Sequence, residues 1–315
     1  ASELRVVVPD HGAGLVLVSV TQNDQQYAGS LTFEYEDSAP YSIEPSVGPV
    51  RGGTLVRLRG ASVHGVSHGV SVGVSHGVSY GAYCKFSGLD VVDASFEGEG
   101  LVRCVTPSAL QAGLVAVSLV HGDAVLDTSV SFDYHGVMSV ASVEPVSGVL
   151  AGGSLVRVKG SGFDPLAQLV VRIGTRALVS ARVLDPTTLE CTTPPQTLVG
   201  LLALEVSRNA HDFTGDEVLF EYQATLRLDE LAPSRGPRSG GTAVVIAGAG
   251  FSRRSASLGY THARFNTSKV PAVWQSASEL RVVVPDHGAG LVLVSVTQND
   301  QQYAGSLTFE YEDSA

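Results

Sequence analysis

The feature that most constrains this chain is a skeleton of apolar residue, Pro, Gly, Gly-Gly-Thr/Ser and alternating apolar residues closing on Gly, which occurs three times. It reads IEPSVGPVRGGTLVRLRG from Ile43 to Gly60, VEPVSGVLAGGSLVRVKG from Val143 to Gly160 and LAPSRGPRSGGTAVVIAG from Leu231 to Gly248. Self-similarity at a near-constant period marks repeated structural units, each with its own start and stop signals. Here the starts are Pro45, Pro145 and Pro233, 100 and 88 residues apart, and the stops are SFDY (131–134), LFEY (219–222) and TFEY (308–311).

A second periodicity lies over the first. Residues 1–39 recur letter for letter as residues 277–315, so the sequence returns to its starting point after 276 positions, a block of three units. This divides the chain into 1–39, the C-terminal half of a third-type unit; 40–136, a unit carrying a His-Gly-Val-Ser insertion; 137–224; and 225–315. Half a unit leaves open sheet edges and half a core. Residues 1–39 are therefore expected to be completed by a segment corresponding to Leu226–Ser276, from a longer covalent array or from a neighbouring subunit.

The 315 residues are 44% apolar and only 16% charged, which suits several small cores of about 90–100 residues each. Thirty-five glycines and 14 prolines punctuate short runs of Val, Leu, Ile, Tyr and Phe, the composition of β-structure. In the second unit Leu155–Lys159 alternates, Gly160–Phe163 reads as a turn, and Leu169–Ile173, Leu201–Val206 and Val218–Tyr222 read as further strands. One late strand is visible in all three units, at Gly113, Gly200 and Gly290, each followed by alternating apolar residues. Period two with frequent turns predicts all-β sandwiches. A net charge of −11 excludes a nucleic-acid surface, and no apolar run approaches the roughly 20 residues of a membrane helix.

The skeleton, together with Gly162-Phe163 and Gly250-Phe251 and the later motifs Cys104-Val-Thr-Pro107, Cys191-Thr-Thr-Pro194 and Val282-Val-Val-Pro285, resembles the IPT/TIG immunoglobulin-like domain. The first unit lacks the Gly-Phe step. The resemblance implies tandem immunoglobulin-like (IPT/TIG) β-sandwiches, and it implies a disulfide between Cys84 and Cys104, positions often bridged in extracellular members. The corresponding pairs are Val171 with Cys191 and Ala263 with Val282, which leaves Cys191 unpaired: a buried hydrophobe, or an intermolecular bridge between fibre strands.

Asn266-Thr267-Ser268 is the one N-x-[ST] sequon, a candidate glycan acceptor. His64, His68 and His76 recur in the insertion, but four-residue spacing in an extended Gly/Ser segment does not gather imidazoles on a metal; an ordered or glycosylated loop is expected there. Its serines and the clusters Asp37–Pro40 and Thr192–Pro195 are candidates for O-linked sugars, hydroxyprolines included in an algal or plant-like source. The Gly-Gly loop is not a phosphate loop, since no helix or Gly-Lys-Ser/Thr follows. Asp10/His11 and the identical Asp286/His287 fall in a turn after Pro, and no nucleophile elbow, paired carboxylates or helical His-x-x-x-His stands in a catalytic context. No enzyme activity, cofactor or metal is expected.

Two functions compete. Identical cassettes in series present identical surfaces at regular intervals, and an open heterologous contact between them builds a helix. The first reading is therefore an extracellular helical fibre that self-associates through copies of the repeat, similar in architecture to glycosylated fibril and appendage proteins of algae or other microbes. The alternative is an adhesive or receptor-type ectodomain stalk, plexin-like, binding a protein or carbohydrate ligand. A dimerising transcription factor is excluded by the charge, and an accessory domain of a polysaccharide-degrading enzyme would need a catalytic domain elsewhere. The connections His135–Met138 and Gln223–Thr225 are short for linkers and restrict the orientation of successive units.

Overall fold

The structure, a computed structural model, describes residues 14–35, 42–60, 82–98, 101–121, 124–174 and 177–313. The His-Gly-Val-Ser insertion with His64, His68 and His76, the Asp10/His11 pair and the Asp37–Pro40 cluster lie outside the described residues. The chain separates into two compact units, residues 1–137 and 138–315.

In the first unit, β1 (Gly14–Thr21) and β2 (Tyr27–Tyr35) form a two-stranded antiparallel sheet. It is followed by β3 (Ser42–Glu44), β4 (Val47–Pro49), β5 (Leu55–Arg59), β6 (Ala82–Phe86), β7 (Val91–Gly98), β8 (Leu101–Val105), β9 (Gly113–His121) and β10 (Ala124–His135). These eight pair in the order β3-β5-β8-β7-β6-β9-β10-β4.

The second unit repeats that topology twice. Its first domain comprises β11 (Ser139–Glu144), β12 (Ser147–Val149), β13 (Leu155–Ser161), β14 (Leu169–Ile173), β15 (Ala177–Asp185), β16 (Thr188–Thr192), β17 (Gly200–Ser207) and β18 (Leu219–Gln223). The second comprises β19 (Arg227–Ala232), β20 (Arg235–Pro237), β21 (Ala243–Ala249), β22 (His262–Phe265), β23 (Ser268–Ser276), β24 (Glu279–Val283), β25 (Gly290–Thr297) and β26 (Tyr303–Glu312), with one short helix, α1 (Arg253–Ser257), after β21. Both keep the strand order of the first unit's eight-stranded domain.

The order closes into two layers because two strands change layer. β11 pairs antiparallel with β13; past the cis Glu144-Pro145 bond, β12 pairs parallel with β18 on the other layer. β15 gives Ala177–Ala181 to β14 and Arg182–Asp185 to β16. Alternation along the strands then fills the space between layers. β5, β13 and β24 each expose and bury successive residues, and Val56, Leu58, Val156, Val158 and Leu280 are fully buried. β13 runs on to Ser161, two residues beyond the run read from alternation, because β11 continues to pair with it through Gly160 and Ser161.

Three recurring pieces of the skeleton meet at one end of each sandwich. Tyr134, Tyr222 and Tyr311, from the closing F-x-Y signatures, donate their hydroxyls to the carbonyls of Pro107, Pro194 and Pro285 at 2.8, 2.7 and 2.9 Å. Each tyrosine meets its preceding Phe edge to face, at 4.9–5.2 Å between ring centres. The first Gly of each Gly-Gly pair (Gly52, Gly152, Gly240) has φ between +71° and +73°, and a Cβ there would press within 2.5–2.6 Å of the backbone in the same Thr/Val-Pro segment. Only glycine satisfies both demands, which is why the pair recurs.

Candidate functional site: the joint between two domains

Within the second unit, three residues, Ala224–Leu226, connect β18 to β19, and the ends of the two sandwiches meet. The contact is built almost entirely of neutral polar side chains, and its central members are buried: Ser147, Ser154 and Ser255 at 0% exposure, Gln298 and Asn299 at 4%, Gln223 at 6%.

The upper partner contributes the loop Gln298–Gln302 between β25 and β26, together with α1. Asn299 shapes the loop from within: its Oδ1 accepts from the backbone N–H groups of Gln301 and Gln302, both at 3.1 Å, while Asp300 takes a positive φ of 62°. Asx turns of this kind let a short polar side chain replace a backbone acceptor. The flank is braced by Lys269 Nζ to Asp300 at 2.7 Å and by Arg264 stacked 3.9 Å over the Tyr303 ring. The Asp300 carboxylate accordingly raises the Lys269 pKa above its ordinary value.

Three groups of hydrogen bonds join the domains, beside two longer ones in which Gln302 Nε2 donates to the Gly153 carbonyl and Ser147 Oγ to the Gln298 carbonyl, each at 3.4 Å. Ser255 Oγ, in α1, lies 3.0 Å from Ser147 Oγ of β12 and accepts from Gln223 Nε2 at 2.6 Å. Ser154, directly after the Gly-Gly pair, donates to Gln302 Oε1 at 3.0 Å and accepts from Asn299 Nδ2 at 3.3 Å. The Gln301 carboxamide engages both backbone groups of Leu155, accepting from its N–H at 2.8 Å and donating to its carbonyl at 2.6 Å. β11 ends opposite Arg157, so the Leu155 edge of β13 extends past its strand partner, and the glutamine amide pairs with it as a peptide group would. Gln298 ties the rest of the upper domain to the loop, receiving the Ser252 N–H and donating to the Gly250 carbonyl. Beside the contact, a cleft of about 390 Å³ is lined by Glu144, Arg157, Tyr260, Asp300 and Gln301. Desolvation, and then the Glu144 charge across the joint, raise the Tyr260 pKa.

The residues singled out from sequence are scattered rather than gathered. Cys84 and Cys104 are bonded, Cα atoms 6.4 Å apart, linking β6 and β8 on either side of β7. Cys191 occupies the Cys104 position of the next domain at 4% exposure, facing a core with Val171, and burial pushes its thiol pKa up to about 12. A thiol so buried packs as a small core hydrophobe. Asn266 is exposed at the tip of the two-residue β22–β23 turn with φ 52°, so the turn itself calls for Asn there. Asp286 and His287 lie in an open surface cleft where His287 stacks on Tyr311 at 5.1 Å. Among the described residues no group of three or more His, Cys, Asp or Glu could hold a metal ion.

No motif in the sequence points to the side chains of the joint. Ser147, Gln223 and Gln298–Gln302 are polar and aperiodic, and polarity at loop positions ordinarily signals solvent. The signal that was present is the shortness of the Gln223–Thr225 connection.

Strand order, the two layer switches and the tyrosine-to-proline contact define tandem immunoglobulin-like sandwiches. More narrowly, the IPT/TIG domain model matches residues 138–222 and 226–311, and the chain belongs to that family. The preceding eight-stranded domain, outside those matches, shares their strand order. The chain is similar to mouse fibrocystin-L, 31% identical over 151 residues covering 45% of this chain and 3% of that protein. It is also similar to plexin-2 of Caenorhabditis elegans, 25% identical over 208 residues covering 65% of this chain and 11% of that one. The full extracellular region of plexin A4 aligns with a TM-score of 0.41 at 16% identity, over 86% of this chain and 24% of that structure.

Proposed function

We propose that this chain is a segment of an extracellular receptor- or adhesin-type stalk, in which IPT/TIG sandwiches have no catalytic role and act as spacers that carry loops toward a protein or carbohydrate ligand. The observation that carries the reading is the tandem of two family domains joined end to end by a buried hydrogen-bonded contact, which is how a stalk keeps reach and direction. Similarity to fibrocystin-L and plexin-2 favours this reading over a fibre. The Cys84–Cys104 bond suits an oxidising compartment, and a glycan on the exposed Asn266 belongs to the same reading.

The fibre rests on one observation, the 39-residue identity, because identical surfaces repeated along a chain can stack on one another. Sedimentation of the purified chain over a range of concentrations, with electron microscopy of the same samples, separates the two. Concentration-independent monomers are expected. Reversible growth into filaments of uniform pitch would replace the stalk with the fibre.

A further inference from the structure

The sequence contains its own control for the joint. Thr21–Tyr27 repeats Thr297–Tyr303 residue for residue. In the β1–β2 hairpin the loop folds the same way: Asn23 Oδ1 accepts from the N–H groups of Gln25 and Gln26 at 3.1 and 3.0 Å, and Asp24 takes a φ of 57°. Gln22 and Asn23 are exposed, whereas the matching Gln298 and Asn299 are buried in the joint. The turn is thus a property of the heptapeptide, present whether or not its side chains are covered, and docking it needs little further ordering of the loop.

The receiving surface is not general to the three domains. Aligned on the skeleton, Ser147 corresponds to Val47 and Arg235, Ser154 to Thr54 and Thr242, and Gln223 to His135 and Glu312. Nor is the loop general: Gln298, Asn299, Gln301 and Gln302 correspond to Arg208, Asn209, His211 and Asp212 of the preceding domain, and Ser255 corresponds to Ala167. Asn209 makes the same turn, accepting from the N–H groups of His211 and Asp212, so the scaffold is shared and the contacting side chains differ.

We propose that Gln298–Gln302 with Ser255 forms a preorganised plug, specific for the socket made by Ser147, Gly153–Leu155 and Gln223, and that it locks the domains of residues 138–223 and 227–312 into one orientation. Gln301 is the key, because its amide adds a surrogate strand residue to the open edge of β13, and Ser255 is the buried hub on which Ser147 and Gln223 converge. The hydrogen bonds that cross the joint all run between neutral groups, so the lock is insensitive to salt. The proposal holds for a stalk or a fibre alike.

The test is a distance distribution between spin labels at exposed positions of the two domains, Ser180→Cys and Gln275→Cys, in the full chain, where the buried Cys191 resists labelling. The parent is expected to give a single narrow peak, unchanged between low and high ionic strength. Gln301→Ala combined with Ser255→Ala should broaden it. Gln301→Glu, at an exposed position that tolerates charge, should broaden it too by setting a carboxylate against the Leu155 carbonyl. Gln25→Ala, the same change in the repeated loop, should leave it as in the parent. The proposal is overturned by a broad parent distribution, by Gln301 and Ser255 variants that stay narrow, or by a Gln25→Ala effect as large as that of Gln301→Ala.

Discussion

Two buried ionisable groups of the domain spanning residues 138–223 make its stability fall in strong alkali. Burial raises Cys191 from 9.0 to about 12 and Tyr222 from 10.0 to about 12. A raised folded pKa means the folded state holds its proton while the unfolded state loses it. Stability is therefore flat below the unfolded value and declines as pH rises from that value toward the folded one. For this domain the decline should begin near pH 9 with the thiol. In the domain of residues 227–312, which has Val282 in place of the thiol and Tyr260 and Tyr311 as phenols with raised pKa values, it should begin near pH 10. Chemical denaturation as a function of pH should show the earlier onset, and Cys191→Val should remove it at a neutral-pH cost below about 1.5 kcal/mol, because the substitution nearly conserves volume. An unchanged onset in that variant would show that the thiol is not its source. The disulfide acts through the unfolded state: replacing Cys84 with Ala and Cys104 with Val, the pair found at Ala263 and Val282 of the domain of residues 227–312, removes a cross-link across 20 residues. The expected loss is about 3 kcal/mol, read as a lower unfolding midpoint for the first eight-stranded domain with the later two unmoved.

Among the elements, the Gly-Gly loop carries the most consequence per residue, since it sets the entry to the first long strand and, in one domain, forms part of the socket. Gly152 has φ +73°, and a Cβ there would sit 2.6 Å from the Thr193 carbonyl oxygen. Gly152→Ala should cost about 1–3 kcal/mol from backbone strain plus the displaced contact, measured by urea denaturation. Gly153→Ala, where φ is +78° but no atom lies within 4 Å, isolates the strain alone and should cost less. Strand positions with clean alternation were legible in the sequence: Leu169–Ile173 is a strand with the bounds its apolar run implied. Less legible were β12, three residues long and paired parallel with the last strand, and β15, whose two halves serve different layers. Neither has a local signature, since which layer a strand joins is decided by partners far away in the chain. The helix α1 replaces what is a simple Asp164-capped turn in the preceding domain, a change of local capping rather than of pattern.

At the scale of the molecule, the second unit is two small cores bridged by a patch of amides and hydroxyls. Buried neutral hydrogen bonds contribute only about 0.5–1.5 kcal/mol net each, but leaving one partner unsatisfied costs more, which makes such a contact selective for its match. Breaking the joint should therefore change orientation more than stability: the Gln301→Ala and Ser255→Ala pair is expected to leave calorimetric unfolding of each core within about 1–2 kcal/mol of the parent.

The two copies of the 39-residue segment divide what sequence decides from what tertiary structure decides. β1–β2 and β25–β26 have the same register, Gly14 opposite Tyr35 as Gly290 is opposite Tyr311, and the same irregularity after Val18 and Val294. Turn chemistry and alternation are local, so the sequence alone determines the hairpin, its turn and its two faces. Burial is not local. Val294, Val296 and Phe309 are at 0% exposure beneath the strands from Arg227–Ser276, while their counterparts Val18, Val20 and Phe33 are 39%, 46% and 40% exposed. The same contrast separates Gln298 and Asn299 in the joint from Gln22 and Asn23. Apolar area leaves water only when a second surface arrives to cover it, and whether it arrives is a property of the assembled domain.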